Sequence, residues 1–305
     1  MYKPTGKWYL EYAETTPSLL FKVDSYVFSG ETALQKVEII DTPYFGRCLI
    51  LDDSMQSAEL DEYIYHETLI HPALVGLQEP RNILVMGSGE GSTLREILKY
   101  PLVEKVTAID VDPQVVQICK DYLPSWHKGA YDHPKIEMHY QDARKYVEER
   151  DEQYDAVFVD VTEPLDDGPS YLLFTDQFYK IVAKRLKPNG ILGLQAGMFD
   201  PSLLKCHSSV YQTLRRTFNY VSSAYAFIPS FANSWSFIFA SQEVNVGSID
   251  EDEINNRLAS SGIFNLQFYD GETHRALFAI PKNCRLIRDR EEFIIKDDKP
   301  LFVSY

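Results

Sequence analysis

Between Asn82 and Asp112 the chain reads NILVMGSGEGSTLREILKYPLVEKVTAIDVD, and few folds accept that order of residue types. The run Ile83, Leu84, Val85, Met86 has no polar alternation, as expected of a strand buried on both faces. It meets Gly87, Gly89 and Gly91, and helical spacing follows from Thr93 to Leu98. A second buried run (Val106, Ala108, Ile109) ends in Asp110, about twenty residues after the first glycine, where a parallel neighbour strand would end beside the turn. A carboxylate there accepts hydrogen bonds from both hydroxyls of a ribose, so the stretch reads as a nucleoside-binding crevice.

The spacing Gly87-x-Gly89-x-Gly91 differs from the GxGxxG pattern, in which glycines let a pyrophosphate approach the backbone. Glu90 inside the turn would repel a pyrophosphate and attract a cation. A nucleoside with a positively charged tail fits, which points to an S-adenosylmethionine type of ligand rather than NAD.

From Asn82 to about Gly193 strand and helix patterns alternate. Helices are expected near Pro113 to Tyr122, Ala143 to Glu149 and Thr175 to Leu186; strands at Ile136 to Tyr140, Ala156 to Val159 and Ile191 to Gln195. Alternation of this kind is the signature of an α/β fold with a Rossmann-like, doubly wound, mainly parallel sheet. With the ligand read at Glu90, the expected fold resembles the class I S-adenosylmethionine-dependent transferase type. Ligands bind such sheets beyond the strand ends, occupied here by Gly87, Asp110, Gln141-Asp142, Asp160 and Gln195. We read these five ends as one site.

Residues 1 to about 75 carry strand signals at Leu20 to Val23, Ala33 to Ile40 and Arg47 to Leu51, broken by turn chemistry at Ser29-Gly30 and Thr42-Pro43. A small N-terminal antiparallel β domain (1–75) is therefore expected ahead of a nucleoside-binding domain (76–305). Ser57 or Glu59 would start a helix running to Leu74. Exposed sheet edges in the small domain favour a homo-oligomer, a homodimer or homotetramer. The formal charge of −15 argues against nucleic acid or an anionic membrane as partner and suits a cationic substrate. Four scattered cysteines without a CxxC, and no apolar run of membrane length, suggest a reduced, cytoplasmic protein. His66 and His71 lie five apart rather than i, i+4, so they read as packing residues and no metal site is expected.

Asp142 and Ala143 stand where a carboxylate can accept from an adenine amino group, although Asp142 serves equally as a helix N-cap. Asp160 and Glu163, with Asp166 and Asp167 close behind, form an acidic loop facing the reacting end of the ligand. A sulfonium carries its own leaving group, so transfer from it to a protonated amine needs a carboxylate to bind the ammonium and help remove the proton; Asp160 is the candidate. Glu90 and Asp61 would repel the carboxylate of ordinary S-adenosylmethionine and welcome the bare ammonium of its decarboxylated form. That favours aminopropyl over methyl transfer, with a methyltransferase as the competing reading.

The blocks Leu51-Asp52 with Met55-Gln56-Ser57, Asp61-Glu62 with Tyr65-His66-Glu67, and Gly87-Ser88-Gly89-Glu90-Gly91 make the chain resemble the polyamine aminopropyltransferases, the spermidine and spermine synthase family. The resemblance implies that Gln35, Asp61 and Glu90 bind the aminopropyl end of decarboxylated S-adenosylmethionine, a co-substrate rather than a cofactor. It places Asp110 on the ribose, Asp142 and Ala143 on the adenine, Asp160 on the attacking amine, and Gln56, Tyr65 and Gln195, with His66, along the acceptor channel. Three departures bear on the acceptor: Glu163 where spermidine synthases commonly have a second aspartate, Phe231 after Ile228-Pro229-Ser230 where they commonly have tyrosine, and Ala196-Gly197 after Gln195. The stretch IPSFANSW (228–235) is similar to thermospermine synthases. Spermidine is thus the expected acceptor, with putrescine or agmatine as alternatives and an inactive polyamine-binding homologue as a further competitor.

Overall fold

The computed structural model describes residues 6–13, 17–164, 168 and 170–303; Asp166, Asp167 and Pro169 of the acidic loop lie outside them. The N-terminal part holds six strands: β1 (Lys7–Glu11), β2 (Leu19–Val23), β3 (Ser25–Glu31), β4 (Lys36–Thr42), β5 (Gly46–Leu51) and β6 (Ser54–Ala58). Strands β1 and β2 form a hairpin, and β3 to β6 a four-stranded antiparallel meander. One face of the meander packs Val37, Ile39 and Leu49 on Val115, Cys119, Leu123 and Trp126 of the part that follows. The other packs Ile40, Cys48 and Ile50 on Tyr9, Phe21 and Val23 of the hairpin.

Helix α1 (Glu62–Gly76) starts later than the spacing predicted, because β6 takes Ser54–Ala58 and Ala58 pairs with Cys48. Leu69, Ile70, Ala73 and Leu74 of α1 join one core with Ile83, Phe158, Ile191 and Phe237 of the large sheet. That sheet comprises β7 (Asn82–Met86), β8 (Lys105–Asp110), β9 (Ile136–Tyr140), β10 (Tyr154–Val159), β11 (Leu186–Met198), β12 (Tyr220–Ile228) and β13 (Asn233–Ser241). Their order is β12-β13-β11-β10-β7-β8-β9. Strands β7 to β11 run parallel, and β13 and β12 are antiparallel additions to the β11 edge. The sheet is doubly wound and mainly parallel, as expected.

The crossover helices are α2 (Ser92–Ile97), α3 (Pro113–Tyr122), the short α4 (Pro124–His127), α5 (Ala143–Glu148) and α6 (Asp176–Arg185); α7 (Lys205–Leu214) follows β11. Local chemistry sets several starts. Asp112 accepts from the amides of Gln114 and Val115 with Pro113 at the first helical position, Asp142 caps through Lys145 N and Thr175 through Phe178 N. The tail adds α8 (Glu251–Ser260), α9 (Gly271–Leu277) and α10 (Lys282–Arg290). All four cysteines are buried and unpaired. Among the described residues no helix is long and apolar enough to cross a membrane.

Strand β7 is the centre of the winding. The chain goes outward from it to β8 and β9, then returns to β10 on its other side. The crevice opens at the reversal, between the C-terminal ends of β7 and β10.

Candidate active site

A cavity of about 1070 Å³ occupies that crevice. Its floor is formed by the ends of β7, β8 and β10, at Gly87, Asp110 and Asp160; Gln35, Met55 and Gln56 of the small sheet roof it. Phe231 to Asn233 and Trp235 close the far wall.

The turn after β7 approaches β10 so closely that a Cβ on Gly87 would stand 2.0 Å from the Asp160 carbonyl oxygen, and its φ of +79° is a left-handed value that glycine tolerates. Asp110 fixes the rest of the turn: Oδ2 accepts from the amides of Ser88 (3.0 Å) and Gly89 (3.1 Å), and Oδ1 from Asp112 N (2.9 Å). Burial raises its pKa from the ordinary carboxylate value, against those amide bonds. Gln35 donates to Asp112 Oδ2 (3.1 Å), which ties the β3–β4 turn to the loop after Asp110. Asp142 caps α5 through Oδ1 at 2.9 Å and, with Ala143, lines the cavity.

Glu90 lines the cavity with Oε1 3.1 Å from His66 Nε2. Asp160 stands beside this pair at the end of β10. Its Oδ1 accepts from Tyr65 OH at 2.8 Å and its Oδ2 from Thr93 Oγ1 at 2.5 Å. Burial raises the Asp160 pKa and Glu90 adds to the rise, while the His66 charge and the two hydroxyls oppose it. Burial and the Asp160 charge push the Tyr65 phenol well above its usual value, so it stays a hydrogen-bond donor. The arrangement is a carboxylate that can take a proton, held in one orientation by two hydroxyls.

The opposite wall is more apolar. Gln195 donates to Val161 O (2.8 Å) and accepts from Gly197 N (2.9 Å) and Trp235 Nε1 (3.1 Å), so its amide is oriented by the fold. The Phe231 ring lies edge-on to Trp235 at 5.1 Å and to Tyr65 at 6.4 Å between centroids. Gln56 makes one long bond, to Ser54 O at 3.4 Å, and Glu163 lines the same end.

Fifteen candidate residues came from the sequence, and the structure brings thirteen to the cavity wall. Asp61 and His66 are not among the residues that line it. Asp61 is 2 % exposed, and both its oxygens are taken from behind the wall by Ser230, through the amide (2.6 Å) and hydroxyl (2.9 Å). His66 is 3 % exposed and sandwiched between Glu62 and Glu90. Thr93 and Trp235 were missed as partners of site groups. Thr93 lies one turn beyond the glycines, and only that adjacency could have flagged it. His71, read as packing, meets Glu67 and Glu96 with ligand atoms within 4.8 Å of one another. These atoms have protein partners: Glu96 holds His71 (2.9 Å) and Lys99 (2.6 Å), and Glu67 accepts from three backbone amides at 267 to 269.

Fold and cavity together define a nucleoside-binding transferase of the doubly wound class. Residues 62–271 match the spermine/spermidine synthase domain and residues 7–59 the spermidine synthase tetramerisation domain. A polyamine aminopropyltransferase of Sulfurisphaera tokodaii is 39% identical over 297 residues, covering 97% of this chain and 98% of its own. Polyamine aminopropyltransferase 2 of Pseudomonas aeruginosa is 35% identical over 292 residues, 95% of this chain and 84% of its own. Among solved structures, the spermidine synthase of Thermotoga maritima superposes with a TM-score of 0.83 at 27% identity, over 93% of this chain and 96% of its own. A spermidine synthase in complex with the transition state analogue AdoDATO gives 0.83 at 28%, over 92% and 95%.

The chain belongs to the spermine/spermidine synthase family and is an aminopropyltransferase. In this family decarboxylated S-adenosylmethionine is a co-substrate, consumed at each turnover, rather than a resident cofactor.

Proposed function

We propose that the enzyme transfers the aminopropyl group of decarboxylated S-adenosylmethionine to spermidine, giving thermospermine and 5'-methylthioadenosine. The observation that carries this reading is Asp160, gripped by Tyr65 and Thr93 between the Glu90 side of the cavity and the Phe231 side. The donor lies with its adenine at Asp142 and Ala143, its ribose at Asp110, the glycine turn (Gly87, Gly89) beneath it, and its ammonium at Glu90 and Gln35. The acceptor lies along Gln56, Tyr65, Glu163, Gln195 and Phe231. Its nitrogen gives up a proton to Asp160 and attacks the propyl carbon next to sulfur; the C–S bond breaks and its electron pair returns to the sulfonium as a neutral thioether. Asp61 supports the far wall through Ser230.

An apolar Phe231 and the Trp235 ring beside it suit a long acceptor whose methylenes need cover and whose charges are spread out. Putrescine is the second reading, favoured by the similar solved structures being spermidine synthases. The test is to offer putrescine, spermidine, cadaverine and agmatine separately with the decarboxylated donor, and to resolve spermine from thermospermine by chromatography. Thermospermine from spermidine supports the proposal; spermidine from putrescine alone replaces it with the second reading.

The chain is also proposed to be a cytoplasmic homo-oligomer, a homodimer or homotetramer. The match of residues 7–59 and the exposure of Trp8, Leu10 and Leu20 on the β1–β2 hairpin support assembly through this part. The two domains are best divided near residue 61 rather than 75, since α1 packs on the large sheet.

A further inference from the structure

Glu90 belongs to a row of buried charges that runs away from the cavity between α1 and α2. His66 Nε2 donates to Glu90 Oε1 at 3.1 Å, and its Nδ1 meets Glu62 O at 2.7 Å and Glu62 Oε2 at 2.9 Å. Glu62 is gripped in turn by both terminal nitrogens of Arg95, each at 2.9 Å, and Arg95 also donates to Trp126 O at 2.6 Å. Signs alternate along the row: Glu90 negative, His66 positive, Glu62 negative, Arg95 positive. The imidazole has no path to the cavity, yet one of its nitrogens is committed to a residue on the cavity wall.

We propose that His66 is a positioning residue for the donor: it holds Glu90 by one oxygen, so that this carboxylate meets the donor ammonium in a fixed orientation, and its charge favours the carboxylate form of Asp160 beside Glu90. The proposal rests on the donor reading given above. A free glutamate has three rotatable bonds to immobilise when it binds a cation, and a tether already fixed by Glu62 and Arg95 removes most of that cost. Two carboxylates sharing one cavity disfavour each other's ionisation, and a cation beside them relieves this. Burial works against a charged imidazole, but Glu62 and Glu90 on its two sides hold its pKa well above the ordinary value. The other groups facing it are Tyr65, its ring neighbour on α1, and Asp160 at the end of β10.

Two variants separate the hold from the charge. His66→Asn keeps an amide near Nδ1 for Glu62 and lets go of Glu90, whereas His66→Gln puts an amide near Nε2 for Glu90 without the charge. For His66→Asn, calorimetry should find the decarboxylated donor bound about tenfold more weakly, the size of losing one hydrogen bond to a charged group. Binding of 5'-methylthioadenosine, which lacks the ammonium, should stay within about twofold. His66→Gln should bind the donor within about threefold of the parent, but the acid limb of its kcat/KM profile should move to higher pH as Asp160 loses its neighbouring cation.

Unchanged donor binding by His66→Asn, or equal losses of donor and 5'-methylthioadenosine, would overturn the proposal. So would an unmoved acid limb in His66→Gln. Failure of the underlying donor reading looks different: the parent enzyme itself would bind S-adenosylmethionine as tightly as the decarboxylated form.

Discussion

Asp160→Asn is nearly isosteric, which makes it the sharpest probe of the chemistry. The amide oxygen can still accept from Tyr65 OH, now 2.8 Å from Oδ1, and Thr93 Oγ1, now 2.5 Å from Oδ2, can turn its hydroxyl to accept from the new NH2. What disappears is the ability to take a proton. Positioned general bases contribute about 10²- to 10⁴-fold, so kcat should fall by at least about two orders of magnitude, equivalent to about 2.7 kcal/mol of barrier. Donor affinity should change by less than about threefold, because Glu90, Asp110 and the glycine turn are untouched.

The same substitution has a pH signature. The parent carboxyl has its pKa raised by burial from 3.8, so activity should fall as the pH drops through a value above the usual carboxylate range, and this limb should vanish from the residual rate of the variant. The folded state holds this proton more tightly than the unfolded state does. Ionisation of Asp160 therefore lowers stability as pH rises through the folded pKa, and Asp160→Asn should melt no lower than the parent at neutral pH. The assay is release of 5'-methylthioadenosine at saturating donor and acceptor, beside calorimetric donor binding and a melting curve. Turnover within about threefold of the parent would remove Asp160 from the mechanism.

Gly87→Ala drives a methyl group to 2.0 Å from the Asp160 carbonyl at a left-handed φ, so it should cost at least about 2 kcal/mol in urea unfolding together with most of the activity; parental stability would contradict the contact. Phe231→Tyr adds a hydroxyl to the wall beside Tyr65 and should shift the kcat/KM ratio of putrescine to spermidine about tenfold toward putrescine, while an unchanged ratio would exclude this position as a selector. Glu62→Gln breaks a buried ion pair and should cost about 3 kcal/mol at neutral pH, read from denaturant midpoints. Burial alone would raise the Glu62 pKa, but His66 and Arg95 lower it from 4.5 to about 2, so the stability it contributes is present above 4.5 and lost as pH falls toward 2; the variant should show a flatter acid denaturation curve across that window.

The parallel half of the sheet was legible because strands covered on both faces read as unbroken apolar runs, and a glycine turn between such a run and a helix leaves few geometries. Asp110, Asp142 and Asp160 were found by standing at the ends of those runs. The small meander was less legible. Strand β6, Ser-Met-Gln-Ser-Ala, has little apolar alternation, and it is a strand because Ala58 and Ser57 pair with Cys48 and Leu49. The burial of Asp61 behind the wall was not legible, because its partner, Ser230, is 169 residues away and no local pattern announces that pairing. Charge at Asp61 and Glu90 looked equivalent in the sequence; only packing shows that Glu90 faces the cavity and Asp61 is bonded to Ser230 behind it.

The antiparallel hairpin β12–β13 carries the Phe231 and Trp235 wall at its tip, while the glycine turn, Asp110 and Asp142 hang from the parallel strands. Within the sheet the two halves meet at β11, which pairs with β10 on one side and β13 on the other, and the hydrogen bonds from Ser88 and Gly89 to Asp110 involve no residue of the hairpin tip. On the proposed placement of donor and acceptor, a lineage of such enzymes can swap one amine for another by remodelling a single corner, with the machinery for the common donor inherited intact.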